Sequence, residues 1–320
     1  MRQQSFAAED FEKYRKKTRK EVFLEEMDKI VPWKEMSDAV KPHYPAPKGA
    51  GRRPIGIERM LRIQFLQHWF ELSDPGVEEA LYDSRSMRQF VGIDLAKEPV
   101  PDETTILQFR HLMERHNLGD ELFRLVNVYL AENGMAINRG TIVDATIISA
   151  PTSTKNKTKT RDPDMHQTRK GNQWYFGMKT HIGVDSKTRL IHSIAVTPAN
   201  CHDSQILGDL LHGEETRVWG DSAYAGQKEV IRETSPHAKD FTQKRAYRNK
   251  PLSEKEGSAN RHKSKTRARV EHIFGIMKRQ FGYNKARYRG LDKNAHSVFT
   301  KCALINLVIA KRPLLAALAG

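Results

Sequence analysis

Cysteine is nearly missing from this chain: Cys201 and Cys302 are the only two among 320 residues. Two isolated thiols exclude a thiolate zinc cluster, and without a C-x-x-C pair there is no dithiol redox motif. Nothing requires a disulfide between them, and small apolar side chains are the preferred reading. A long hydrophobic run is missing as well. The richest stretch, Cys302 to Ala310, stops at Lys311-Arg312-Pro313, too short to span a bilayer. Met1 to Lys20 is polar and lacks the apolar core of a signal peptide. A cytoplasmic protein with no membrane partner is therefore expected. Acid is also in short supply: 39 Asp and Glu stand against 54 Lys and Arg, a net charge of +15. That surplus favours a polyanionic partner and argues against an ordinary metabolic enzyme. No internal repeat is visible. What is present, 38% hydrophobic and 29% charged residues, is enough for a folded core of more than one domain.

Three regions follow from the pattern. Residues 1–55 read as a charged helical arm, Phe6 to Trp33, followed by a Pro-rich basic linker ending at Lys48-Gly49-Ala50-Gly51-Arg52-Arg53. Residues 56–135 read as an all-helical DNA-end-binding or dimerisation region. Ile57, Met60, Leu61, Phe65 and Leu66 recur at helical spacing there, and Asp102 or Thr104 stands ready to cap a later helix. Residues 136–320 change character and read as an α/β domain. Thr141 to Ile148 is apolar on both faces, as in a covered interior strand. Strands are predicted at Trp174 to Val184 and Arg189 to Thr197, around a turn at Asp185-Ser186-Lys187. A helix over Asp203 to Leu211, a strand over Thr216 to Gly220, and helices over Arg267 to Phe281 and Asn294 to Ile309 complete it. Polar Pro151 to Gln173 is predicted to be a mobile loop. The order of elements resembles a ribonuclease H-like fold, a mixed sheet flanked by helices.

Three carboxylates carry the chemistry. Asp144 interrupts an apolar strand, where an unpaired charge is costly and needs a cation, hydrogen bonds or an exposed edge. Asp221 follows Gly220 at the end of a strand, where α/β sheets expose functional groups. Glu271 lies at the margin of the helical stripe Val270, Ile273, Phe274, Met277 and Phe281. Each has an ordinary alternative: a hydrogen-bonded core Asp, a turn cap and an Arg267–Glu271 surface pair. Taken together they offer three hard oxygen donors, a set suited to two Mg²⁺ ions sharing phosphate oxygens. Asp185, His181, Asp203 and His202 rank below them, and no spacing argues for a zinc site.

The segments around Asp144, Asp221 and Glu271 resemble, in order, the three blocks of the DDE transposases of bacterial insertion sequences, in particular the insertion-sequence-5 group. In the third block Arg267, Glu271 and Lys278 fall where the pattern Tyr, two residues, Arg, three residues, Glu, six residues, Lys has its last three members. Ser264 stands in place of the Tyr. The resemblance implies catalytic and metal-holding roles for Asp144, Asp221 and Glu271, with Mg²⁺ as the cofactor and Mn²⁺ as a substitute. It further implies double-stranded DNA as partner, both inverted-repeat ends and target, with cleavage releasing 3′-hydroxyls that are then transferred. Assembly as a homodimer is expected, and no nucleotide is needed.

Between Lys244 and Arg289, fifteen Lys or Arg residues face only Glu254, Glu256 and Glu271. Lys263, Arg267, Arg269, Lys278, Arg279, Arg287 and Arg289 are the expected phosphate contacts, with Lys48, Arg52 and Arg53 reaching a DNA end. Tyr283 is the candidate for stacking on an unpaired base, whereas Phe281 and Phe176 are expected in the core. A metal-dependent nuclease without strand transfer and a non-catalytic DNA-binding protein are the alternative functions. A two-metal phosphatase explains the broad basic surface less well.

Overall fold

The apolar segment around Asp144 becomes β1 (Gly140–Ser149), the spine of a six-stranded sheet in the computed structural model of the chain, which describes residues 16–46, 53–247 and 249–319. Lys48 and Arg52 lie outside the described residues, and so does the start of the predicted arm. β1 pairs antiparallel with β3 (Gln173–Asp185), Asp144 opposite Ile182. On its other edge β1 pairs parallel with β5 (Arg217–Trp219), which in turn pairs parallel with β6 (Lys239–Asp240). The first part of β3 forms a hairpin with β2 (His166–Lys170), and its second part pairs with β4 (Ile191–Pro198). This mixed sheet, flanked by helices and preceded by an all-helical stretch, is the ribonuclease H-like arrangement.

Alternation along β1 divides its two faces. Ile142 and Ile148 join the main core, while Val143 packs in a smaller cluster with Leu207, Leu210, Val218, Tyr224 and Ile231. Asp144 shares the face of Ile142 and Ile148. That side is covered by α9 (Glu254–Gly275), which is opened by a capping box between Ser253 and Glu256 and anchored by buried Val270 and Ile273. A single π turn, Ile276–Gln280, ends the helix before Phe281. The remaining small helix, α8 (Lys228–Thr234), follows β5 on the other side.

Among the described residues, seven α-helices precede the sheet: α1 (Arg19–Ile30), α2 (Trp33–Val40), α3 (Ile57–Phe70), α4 (Asp74–Asp83), α5 (Arg85–Val91), α6 (Glu103–Arg115) and α7 (Leu118–Glu132). Asp102 caps α6 by accepting from the Thr105 N–H at 2.7 Å. Their buried residues, including Met27, Phe65, Trp69 and Val126, belong to the same core cluster as Ile142, Ile273 and Leu304.

The last helix departs from the sequence reading. α10 runs from Leu291 to Ala319 with Pro313 inside it, rather than stopping at Ile309. Proline removes a hydrogen bond and crowds the preceding turn, but Leu314 just beyond it is buried and Lys311 pairs with Glu26 at 2.6 Å. These contacts hold the turns on either side. By length and composition α10 is apolar enough to cross a membrane. Here it is a packing helix against α7, α1 and β4, and it buries Asn294, Lys301 and Asn306. Asn306 bonds the Ile191 N–H and carbonyl at 2.8 and 2.7 Å, extending the β4 edge like a strand neighbour.

The predicted loop before β3 also differs. It contains β2, a strand whose His-Gln-Thr-Arg-Lys sequence has no apolar alternation to betray it. The predicted helix over Asp203 to Leu211 is instead two short 3₁₀ turns, Asp203–Ile206 and Gly208–Leu210.

Candidate active site

Asp144, Asp221 and Glu271, 127 residues apart along the chain at the extremes, line one cleft of about 500 Å³. β1 supplies Asp144 from a covered face. β5 supplies Asp221 just past its end, where the Asp221 carboxylate caps the turn Ser222–Tyr224 by accepting from the Ala223 N–H at 2.8 Å. The bland capping role and a place in the cleft thus coincide in one side chain. α9 holds Glu271 at the rim, with 64% of its side chain exposed.

Arg267 joins two of the three. Its Nη1 donates to Asp144 Oδ2 at 2.7 Å, and its Nη2 lies 3.5 Å from Glu271 Oε1. Burial pushes the Asp144 carboxyl up to about 6, against the opposing pull of the Arg267 cation and the Ala145 N–H; the Asp221 and Asp203 charges raise it further. Tyr224 lies buried beneath, its phenol raised well above the usual range by burial and by Asp203, Asp144 and Asp221, and its Oη has no hydrogen-bond partner.

The cleft also gathers residues outside the triad: Asp203 and His181, which rank below it in the sequence, and Lys179 and β2 side chains, which the sequence does not single out. Lys179 on β3 donates to Asp203 Oδ1 at 2.8 Å and to the Cys201 carbonyl at 2.7 Å, placing a fourth carboxylate and a half-buried ammonium beside the first three. Behind them His181 is fully buried, with Nε2 2.8 Å from Thr197 Oγ1 and Nδ1 3.9 Å from Asp203. Burial pushes its imidazole down to about 4, against the pull of Asp203. From the polar strand β2 come Thr168, Arg169 and Lys170, which face the same opening. They are found only once the β2–β3 hairpin is known.

The basic residues expected to meet DNA are dispersed. Lys278 donates to the Ile147 carbonyl at 2.8 Å over β1, and burial together with the nearby Lys170 charge lowers its ammonium pKa. Lys263 donates to the Thr242 carbonyl at 2.7 Å, and Arg269 to the Ser186 carbonyl. Arg287 grips Glu71 through its carboxylate and its carbonyl, at 3.1 and 2.6 Å. Arg289 donates to the Thr160 hydroxyl and the Arg161 carbonyl at 3.1 and 3.2 Å. Arg53 and Arg279 are exposed. Ser264, in the place of the Tyr, accepts from Gln243 Nε2 at 2.6 Å. Tyr283 is 1% exposed, with Lys301 4.6 Å from its ring centre, and so cannot stack on a base; a core position won over the basic context. Phe281 is buried as expected.

The donor set around Arg267 is all carboxylate oxygen, with a cation already lying between two of its members, and this suits a hard divalent ion. A different group, His192, His212 and Glu215, has its ligand atoms within 4.8 Å of one another. Its two nitrogens fit Mg²⁺ poorly, and it lies outside the cleft.

Residues 136–307 match the family described as Transposase DDE domain, and residues 11–112 match the one described as Transposase domain (DUF772). A cryo-EM structure of a piggyBac transposase synaptic complex with hairpin DNA aligns at a TM-score of 0.47 and 10% identity, over 93% of this chain and 76% of that one.

Proposed function

Because this chain belongs to the Transposase DDE domain family, matched over residues 136–307, we propose that Asp144, Asp221 and Glu271 are its catalytic carboxylates and hold two divalent ions, Mg²⁺ or Mn²⁺. In this reading the enzyme cleaves DNA at the inverted ends of its own insertion element and transfers the 3′-hydroxyls to target DNA, in the manner of the insertion-sequence-5 group. The observation that carries the reading is the meeting of the three acids in one cleft with Arg267 spanning Asp144 and Glu271.

When bound, the ions supply the charge that activates water or a 3′-hydroxyl and stabilises the departing oxygen. The chain's own residues do the remainder. Asp144, lodged against an apolar strand, presents a carboxylate whose ionisation a nearby cation favours. Asp221 is fixed in direction by its bond from Ala223. Glu271 stands at the rim, where substrate enters. Lys170 and Arg169 line the opening and suit phosphate contact, while Lys179 holds Asp203 in place. The helical stretch matched by the second family is proposed to bind the DNA ends or to join two subunits.

The test is cleavage and joining of an oligonucleotide carrying the element's own ends, with Mg²⁺ present. Asp144→Ala, Asp221→Ala and Glu271→Ala should each abolish both steps while much of the DNA binding persists. Cleavage without joining by the native protein identifies a nuclease, and joining that survives in all three variants removes the assignment.

A further inference from the structure

We propose that this protein carries a second metal site, for Zn²⁺, formed by His192, His212 and Glu215 and separate from the carboxylate cleft. The three come from distant points that the sheet brings together at the beginning of β1. His192 lies on β4, where the pairing with β3 is irregular next to Gly183 and Val184. His212 and Glu215 lie in the segment that leads into β5. Their ligand atoms all fall within 4.8 Å of one another.

Three observations favour an ion over a simple hydrogen-bond network. First, His212 Nε2 is buried and has no hydrogen-bond partner, although Glu215 Oε1 is 3.3 Å away. Two ligands of a tetrahedral ion with bonds of about 2.0–2.1 Å stand about 3.3 Å apart, so that pair is already spaced as one edge of a zinc site. Second, Glu215 is fully buried and oriented from behind: its Oε2 accepts from the Gly213 N–H at 2.9 Å and from the Ser235 hydroxyl at 2.6 Å. Oε1 lies on the histidine side, where it accepts from the His212 backbone N–H at 2.8 Å and from the Thr141 hydroxyl at 3.0 Å and keeps lone-pair capacity toward His212 Nε2. Third, His192 carries its ring proton on Nε2, donated to Thr141 Oγ1 at 3.1 Å, while Nδ1 meets Ser193 Oγ at 2.9 Å; with the proton moved to Nδ1, Ser193 accepts it and the Nε2 lone pair is freed on the side of Thr141 and Glu215. Such outer bonds are what fix a metal-binding imidazole.

The donor set decides the ion. Two imidazole nitrogens and one carboxylate suit zinc, with a fourth position left to water, whereas Mg²⁺ prefers oxygen. Access is available, since 23% of the His212 side chain is exposed. On binding, the ring proton of His212 moves from Nε2 to Nδ1, so no net proton is lost. The cost is the 3.3 Å bond from the Glu214 N–H to Nδ1, and Glu214 is exposed and able to turn to water. The ion would tie β4 and the segment preceding β5 to the beginning of β1, steadying the strand that carries Asp221. Its role is structural.

The experiment strips the purified full chain with a chelator, reloads it with Zn²⁺ alone, and measures retained metal by elemental analysis. A single equivalent per chain is expected, with the visible spectrum of tetrahedral Co²⁺ when cobalt replaces zinc. His212→Ala should lose the equivalent, weakening zinc by more than the roughly 10–100-fold typical of deleting an outer-shell partner. Asp144→Ala should retain it, which separates this site from the cleft. No retained zinc in the native protein, retention unchanged in His212→Ala, or loss in Asp144→Ala would each overturn the proposal. If His212→Ala does not fold, the Co²⁺ spectrum of the native protein decides, and an octahedral spectrum refutes the site.

Discussion

Arg267 Nη1 lies 2.7 Å from Asp144 Oδ2, and the same guanidinium reaches toward Glu271, so one side-chain cation spans two carboxylates of the cleft. Asp144 sits on the face of β1 that buries Ile142 and Ile148 and presents Thr146 to the cleft. Without a partner its ionised form would be expensive there. Arg267 therefore holds part of the charge balance that divalent ions would take over.

Arg267→Ala is expected to destabilise the protein by about 1–3 kcal/mol in chelator, the cost of leaving a largely buried group unpaired. Mg²⁺ should recover much of that loss, because an ion then compensates Asp144. Thermal melts of native and variant protein, each with chelator and with Mg²⁺, make the comparison. An equal deficit in both conditions means that Arg267 supports packing alone.

Lys170 and Arg287 should behave differently toward DNA. Lys170 is exposed at the cleft mouth, whereas Arg287 is engaged with Glu71 on the helical side. Lys170→Ala should lower the slope of log affinity against log salt by about 1, as expected for losing one phosphate contact. Arg287→Ala should leave that slope unchanged and lower the melting temperature instead. The reverse pattern, read from binding isotherms at several salt concentrations, would show that the basic run near the C-terminus is the DNA track after all.

Gly183 has a sharper constraint. A Cβ built there would lie 2.3 Å from the Leu210 carbonyl oxygen, a backbone atom that cannot swing aside. Gly183→Ala should cost on the order of 2–3 kcal/mol in denaturant unfolding, through displacement of the 3₁₀ turn Gly208–Leu210 from the sheet. A loss below about 0.5 kcal/mol would mean that the turn relaxes freely.

These residues also show what a sequence discloses. Asp144 stood out because a carboxylate within an apolar strand demands an explanation, and Asp221 because a Gly-Asp step ended a strand. Glu271 followed from the stripe that anchors α9. β2 was hidden, since an exposed polar strand has no periodic burial to record, and with it Arg169 and Lys170 of the cleft. Lys179 and Asp203 are 24 residues apart and meet only through the packing around β3. His192, His212 and Glu215 likewise needed β4 and the segment before β5 to be brought together. Charge counting says least about placement: Lys263, Arg287 and Arg289 read as one DNA-facing surface, and in the fold each is also bonded to a carbonyl, a partner that counting charges does not reveal.

His296 supplies a pH test that is independent of the cleft. It lies between α10 and α7, where its Nδ1 accepts from the Gly119 N–H at 3.3 Å and its Nε2 is buried without a partner. Burial, reinforced by the Arg110 charge, pushes its imidazole down to about 4, against about 6.5 in an unfolded chain. Between those values the unfolded state takes up a proton that the native state refuses, so stability is intact above pH 6.5 and declines as pH falls toward 4. The difference of about 2.5 units corresponds to about 3 kcal/mol. His296→Gln cannot titrate but can still accept from Gly119. Its stability deficit relative to native protein should therefore shrink by about 3 kcal/mol between pH 6.5 and pH 4 in denaturant titrations. Histidines away from His296 contribute equally to both proteins and cancel, while His68, whose imidazole is lowered chiefly by burial and further by the His296 charge, adds to the difference in the same direction. Parallel curves across that window would mean that His296 is protonated at its ordinary pH in the folded state, and that its place between the helices is wetter than the packing against Gly119 implies.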